Sequence, residues 1–230
     1  MPINTTTDLF FWANQYTGIV DFSDLSPTNT LEINLQLITS QISKNNQKQM
    51  SSWSTPEYIE SYITMWDEAY PTKLSGLPYA PPILFYRGNI DLLNHETIAI
   101  IGTRNPHHRS IQFSRTLSRS VEFSVISGCS AGIEYEALQS SLKHQGTAKA
   151  IGVLEKPIHQ FGGLRRKWIE QIVENEGLVI SEFGPTHTYK KWQYIQRNRL
   201  LAALSDSIIL VEAGTSSGSL CIARYGLEFG

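Results

Sequence analysis

The chain has 230 residues, 41% hydrophobic and 17% charged, enough apolar material for one large domain or for a medium and a small one. A formal net charge of −2 excludes a globally basic protein but leaves room for a local basic cleft, because steering depends on how charge is distributed. The longest apolar runs fall far short of a bilayer span, and "MPINTTTDLFFW" lacks the basic-then-apolar order of a secretory signal.

Residues 1 to 68 read as a small helical domain with polar linkers. Thr7 caps a first helix carrying Leu9, Phe10, Ala13 and Tyr16, which stops at Gly18. Asn29 and Glu32 have capping-box spacing ahead of Leu31, Leu35, Ile38 and Ile42. The same stretch also alternates, so a strand competes there; the cap favours a helix. After the polar linker "KNNQKQMSSWS", Thr55 caps a third helix with Pro56 in its first position. Tyr58, Tyr62, Ile63 and Trp66 form its apolar face. The prolines and glycines of "YPTKLSGLPYAPPILFYRGN" forbid long regular structure, and "ILFYRG" is expected as a short strand.

From residue 97 a rhythm begins. Apolar strands at "TIAII", "SVIS", "AKAIGVL", "LVISE" and "SIILVE" are each followed by a helical stretch. The plainest helix follows the third strand, with Leu164, Trp168, Ile172 and Val173 on one face. Apolar strands alternating with amphipathic helices predict an α/β fold, a parallel sheet with helices on both faces. This second unit covers residues 69 to 230.

Ligands of such sheets bind beyond the carboxyl ends of the strands. Those ends carry "GTRNPHHRS", "GCSAGIE", "FGPTHTYKKWQYIQRNR" and "AGTSSGS". Three are tight turns of small residues opening onto helices, whose free N–H groups favour an anion. Arg104, Arg109, Lys190, Lys191, Arg197 and Arg199 fall on the same edge, with Trp192 and Tyr194 among them. Cations interleaved with aromatics suit a phosphodiester chain with stackable bases. A mononucleotide suits part of the same edge.

"YPTKL…PPILFYRGN", "AIIGTR", "SGCSAGIE", "SE", "RNRLLAALSD" and "ILVEAGTSSGSL", in this order and spacing, resemble the DNA-processing protein A (DprA, Smf) family from about Tyr70 to Gly230. The resemblance implies a Rossmann-like sheet, often preceded by a small helical domain. It implies single-stranded DNA binding without catalysis or cofactor, and help in loading RecA recombinase during natural transformation in the bacterial cytoplasm. Carried over by position, Arg104 grips phosphate, and Ser127, Gly128 and Gly132 line the pocket with backbone N–H groups. Lys191 contacts DNA and Tyr194 stacks on a base. Arg197, Arg199, Ser217, Gly218 and Ser219 complete the pocket. RecA and a second copy of the chain are the protein partners the family implies.

The sequence departs from that pattern in three places. Glu134 stands for the family's acid and Leu138 where a histidine is usual. Gln160-Phe161 replaces the usual Tyr-Pro. The family continues past "YGLEFG" into a last strand, a segment used in its dimer and often a winged helix, which leaves dimerisation and RecA loading the implied properties that the residues support least.

Other readings of the same residues stay open. Arg104 can pair with Glu182 or Glu212, Arg199 can be structural, and Tyr194 and Trp192 can be core. A sensor of a small nucleotide signal and a nucleotide phosphoribohydrolase remain alternatives, although "EAGTSSGS" lacks the paired glycines and following acid of the hydrolases. His107, His108 and His159 lack metal-ligand spacing. Cys129 and Cys221 form no C-x-x-C pair and suit a reducing cytosol.

Overall fold

In the computed structural model, the described residues are Leu9, 24–26, 28–29, 31–41, 44 and 61–230, the last range without 78, 144–148, 186 and 216. Among them, seven strands form one sheet. The strands are β1 (Ser61–Thr64), β2 (Ile83–Gly88), β3 (Thr97–Gly102), β4 (Ser124–Ser127), β5 (Ala150–Leu154), β6 (Leu178–Ser181) and β7 (Ser207–Glu212). The helices are α1 (Leu31–Thr39), a single turn α2 (Thr72–Ser75), α3 (His108–Ser120), α4 (Ile133–Ser141), α5 (Gly163–Glu174), α6 (Gln193–Ala203) and α7 (Gly218–Phe229).

The sheet order is β1-β2-β6-β5-β4-β3-β7. The five strands from β6 to β7 are parallel, as their apolar runs imply. All six residues of β3 and all five of β5 are buried, which requires cover on both faces. Alternation along each strand divides the core in two. Ala99, Ile101, Ile151, Val153 and Ile180 join Leu200, Leu201 and Ile222 of α6 and α7 on one face. Ile98, Ile100, Val125, Leu154 and Val179 join Ile133, Leu138, Ile169 and Ile172 of α4 and α5 on the other.

The sheet is not wholly parallel. β2 pairs antiparallel with β6, and β1 antiparallel with β2. The helix expected over Tyr58–Trp66 is therefore absent where the chain is described: Ser61–Thr64 is a strand, with Tyr62 opposite Phe85 and Ile63 opposite Leu84. Of Tyr62, Ile63 and Trp66 only Ile63 is buried, packed with Tyr70 and Leu74. The four-residue spacing that suggests a helical face also permits a short edge strand, and the open edge of β2 decides between them. The Asp67 carboxylate ends the strand by accepting the Thr64 N–H at 2.6 Å and its hydroxyl at 2.7 Å.

Within residues 1 to 60, α1 matches the helix expected after Asn29. Asn34, fully buried, accepts from the Asn29 side-chain amide at 3.0 Å and donates to the Ser26 carbonyl at 3.0 Å. Ile42, the first helix apart from the buried Leu9, and Thr55, Pro56 and Tyr58 lie outside the described residues. In α5 the buried face is Ile169 and Ile172 with Trp168 half-buried, whereas Leu164 is 67% exposed. Arg165, one residue later, takes the place on that face expected of Leu164.

At the amino end of the sheet, Asp206 gathers β3, β7 and α2. Its carboxylate accepts the Thr97 N–H at 2.8 Å and the Lys73 ammonium at 2.6 Å. Burial acts to raise its pKa, but these donors hold it below the ordinary aspartate value. Asp206→Ala leaves the Thr97 N–H without its acceptor. It should lower stability by about 1–3 kcal/mol, read as a lower urea midpoint with an unchanged m-value.

Candidate nucleic-acid interface

β3 to β6 add strand by strand in one direction, and β7 then returns to the other side of β3. The turns after β3 and β7 thus flank a switch point, the place where open α/β sheets bind ligands. They are fastened together: the Thr103 N–H donates to the Glu212 carbonyl at 2.7 Å. The Ser219 hydroxyl at the start of α7 donates to the Gly102 carbonyl at 2.9 Å. Ser217 caps α7 by accepting the Ser219 N–H at 3.3 Å, and Asn198 of α6 donates to the Gly218 carbonyl at 3.3 Å. Gly214 and Gly218 face open space.

The turn after β4 packs against the turn after β3. Gly132 has φ +82°, and a Cβ there would lie 2.3 Å from the Thr103 carbonyl oxygen, so only glycine lets the two turns meet. The Ile133 N–H then donates to that carbonyl at 3.2 Å. Ser127 turns its hydroxyl inward to the Ile100 carbonyl at 2.9 Å. The carboxylate of Glu134, itself buried, accepts the Ser130 N–H at 3.0 Å. A protein anion therefore already sits on one N–H of the turn that the sequence offered to an external one.

The cations fall into two groups. Arg104 is exposed and its guanidinium lies 4.9 Å from the centroid of the Tyr194 ring. The carboxylates offered to it by the sequence are engaged elsewhere. Glu182 accepts from Arg199 Nη2 at 2.5 Å, and Glu212 accepts from the His107 N–H at 3.0 Å and meets its Nδ1 at 2.8 Å. The hydrogen bonds of Ser110 and of the His107 N–H hold the Glu212 pKa below its ordinary value. Lys190, Lys191 and Arg109 are exposed, and among the described residues no carboxylate pairs with them.

Arg197 and Arg199 are both buried and do different things. They sit two residues apart on α6, hence on opposed sides of it. Arg199 faces Glu182, whose pKa is raised by burial against the pull of the arginine. Arg197, 2% exposed, packs its guanidinium against Gly128, where a Cβ would stand 1.5 Å from its Nη1. Its Nε and Nη1 have no hydrogen-bond partner.

The sequence reading missed the group that binds these parts together. Arg165 donates to both carboxylate oxygens of Glu155, at 2.9 Å from Nη2 to Oε2. It also donates to the Cys129 carbonyl at 3.0 Å and lies 3.5 Å from the Tyr194 hydroxyl. Its guanidinium and the Lys156 ammonium each lie 4.5 Å from the centroid of Phe161. Burial would raise the Glu155 pKa, but Arg165, assisted by Arg197, holds it below the usual carboxylate value. The usable signal was helical period: Arg165 shares a face with Ile169 and Ile172, and a cation on a buried face needs a partner.

The loop after β6 presents Tyr189, Lys190, Lys191 and Trp192. It is anchored by His187, buried against Phe183 at 4.9 Å, whose carbonyl accepts from the Gln160 side chain at 2.9 Å. Burial, with Lys190 nearby, lowers the His187 pKa to about 4, so the ring is neutral. Gln193 accepts the Lys190 N–H. Trp192 is 40% exposed and not core. Cys129 is buried in the turn after β4, and burial pushes its thiol up to about 12, so it fills space and is not a nucleophile. Among the described residues no three His, Cys, Asp or Glu side chains converge on a metal-sized site, and no helix is long and apolar enough to cross a membrane.

The fold and its switch-point crevice define an open α/β protein with a cationic, aromatic-lined carboxyl edge. Residues 61–230 match the family model of DNA recombination-mediator protein A, and the chain belongs to that family. It is 30% identical over 216 residues to DNA processing protein DprA of Streptococcus pneumoniae, covering 91% of this chain and 72% of that one. Protein Smf of Synechocystis is 30% identical over 175 residues, covering 73% and 44%. Among solved structures, the pneumococcal DprA superposes with a TM-score of 0.73 at 23% identity, over 100% of this chain and 85% of that one. DNA processing protein A from Helicobacter pylori, solved for its single-stranded DNA binding mode, superposes with a TM-score of 0.65 at 28% identity, over 74% and 78%.

Removing one partner of the Glu155–Arg165 pair strands a buried charge. Glu155→Gln should cost about 3–5 kcal/mol near neutral pH. Because the folded-state pKa of Glu155 is depressed, its contribution is present above the unfolded-state value and lost as pH falls through the folded one. The difference from wild type in urea unfolding should therefore narrow below about pH 4.

Proposed function

We propose that this chain binds single-stranded DNA, without chemical turnover, along the carboxyl edge of its sheet. The reading is carried by Arg104: an exposed guanidinium at the switch point, free of any carboxylate among the described residues and laid on an aromatic ring. An arginine held this way is organised for a ligand anion. In this proposal Arg104, Lys191 and Arg197 meet phosphates, and Tyr194 stands beside the bases. The turns at Ser127, Gly128 and Gly132 and at Ser217, Gly218 and Ser219 shape the crevice, and Arg199 fixes α6 from behind through Glu182.

Family membership and the DNA binding of the Helicobacter pylori relative support the reading. We extend it to a RecA-type recombinase as protein partner, to a second copy of the chain, and to the cytoplasm, which suits two free thiols. The helical unit proposed for the N-terminal part gives up Ser61–Thr64, which pair with the sheet.

Fluorescence anisotropy with labelled oligothymidylate of increasing length tests this. Binding should tighten with length and weaken with salt. Arg104→Ala combined with Lys191→Ala should reduce the slope of log K against log salt by about 1.4, two phosphate contacts at roughly 0.7 each. The loss should be the same for every base sequence. Wild-type protein that binds no oligonucleotide at low salt, or saturates with a mononucleotide, overturns the proposal.

A further inference from the structure

Arg104 is held at two points. Its backbone lies against Gly132 in the turn after β4, where a Cβ would stand 2.7 Å from the Arg104 Cα. Its guanidinium rests on the Tyr194 ring at 4.9 Å. Both supports end on Arg165. From Nε it donates to the Cys129 carbonyl at 3.0 Å and from Nη2 to the Gly128 carbonyl at 3.4 Å, which ties down the turn. From Nη1 it donates to the Tyr194 hydroxyl at 3.5 Å, which ties down the ring.

The turn needs such a tie. Cys129 has φ +55°, the left-handed region that a residue other than glycine enters at a cost and keeps only where its surroundings impose it. Its thiol fits because Gly152 of β5 has no side chain; a Cβ there would lie 2.5 Å from the Sγ. Its carbonyl is the one that Arg165 takes through Nε.

Arg165 has nothing left to offer a ligand. Its other two N–H groups, one on Nη1 and one on Nη2, go to the two oxygens of Glu155. All five guanidinium N–H groups therefore have acceptors, and the buried Glu155 carboxylate balances the charge. A phosphate finds neither a free donor nor a net charge there.

We propose that Arg165 is a positioning residue for DNA binding. It touches no nucleotide; it sets the spacing between the turn after β4 and Tyr194 at which Arg104 meets a phosphate while Tyr194 meets a base. The inference rests on the single-stranded DNA reading above.

Arg165→Lys separates charge from reach. A lysine keeps the charge opposite Glu155 and could itself meet a phosphate, but it cannot span the turn and α6 together. Oligothymidylate affinity is measured by anisotropy at a temperature where the circular dichroism of each variant matches that of wild type. Arg165→Lys should bind about tenfold more weakly than wild type. Combined with Arg104→Ala, it should bind no more than about threefold more weakly than Arg104→Ala alone, because both changes disable the same contact. Tyr194→Phe removes the hydroxyl and leaves the ring and the ion pair; it should lose about threefold in the wild-type background and nothing in Arg165→Lys. Wild-type affinity in Arg165→Lys overturns the assignment, since charge alone then suffices. Losses that multiply in the variant with Arg104→Ala do so too, since Arg165 then acts independently of the crevice. If Arg165→Lys does not fold, Tyr194→Phe decides: a loss supports the assignment and wild-type affinity overturns it. Wild type that binds no oligonucleotide overturns the DNA reading itself, a result distinct from the others.

Discussion

Arg165 reaches from the first turn of α5 across the carboxyl end of the sheet and meets four elements at once. Glu155 at the end of β5 takes two of its N–H groups, the turn after β4 offers the carbonyls of Gly128 and Cys129, α6 offers the Tyr194 hydroxyl, and Phe161 lies under its plane. A planar, permanently charged fork with five donors can do this; a lysine's three donors radiate from one nitrogen and could not span partners set this far apart. The consequence passes outward. The turn after β4 sets Gly132 against Thr103, which fixes the backbone beside Arg104, while Tyr194 supplies the surface on which the Arg104 guanidinium rests. The exposed arginine is thus held from two sides by contacts that begin at one buried ion pair.

A chain of net charge −2 builds a cationic edge by spending its local carboxylates inward. Glu155 goes to Arg165, Glu182 to Arg199, Glu212 to His107 and Glu134 to the backbone of its own turn. The carboxylates at the strand ends then do not neutralise Arg104, Lys190 and Lys191. Glu134 also narrows the options for an anion. It occupies the turn ahead of α4, whereas the turn ahead of α7 keeps Gly214 and Gly218 open to space. The crevice between β3 and β7 is the side of the edge where an external anion meets fewer competing protein groups.

The central strands were legible because burial on both faces leaves a signature that little else produces: continuous runs such as "TIAII" and "SIILVE" closed by small residues. β1 was not. Four residues are too few to show a period, and Tyr62, Ile63 and Trp66 fit a helical stripe as well as a strand until β2 is present to pair with them. The same limit applied at α5, where Leu164 and Arg165 compete for one face and hydrophobicity favours the wrong one. Residue type alone ranks leucine inside and arginine outside; only Glu155, ten residues away in sequence and adjacent in space, reverses that order. On α6 the spacing of Arg197 and Arg199 already implied opposed sides, but which side faced the crevice depended on where Gly128 and Glu182 lay. The resemblance to the family supplied the crevice; it did not supply the internal partners that decide which cations remain free.

Aromatic rings and cations alternate along this edge, and the alternation bears on the kind of ligand it suits. A mononucleotide has one base and one phosphate group, so it engages one ring and its neighbouring cation and leaves Arg104 and the Lys190-Lys191 pair competing for a single anion. A strand repeats both groups. Each added nucleotide brings another phosphate to an unneutralised cation and another base to the exposed loop, with the ordering cost of the protein already met by the ion pair and hydrogen bonds beneath it. A duplex repeats the phosphates too, but its bases are turned inward and stacked on each other, so the aromatic rings of this edge would find no π face to meet. On the proposed function, the single strand is therefore selected by rings that stay exposed, and the cations serve every polyanion alike.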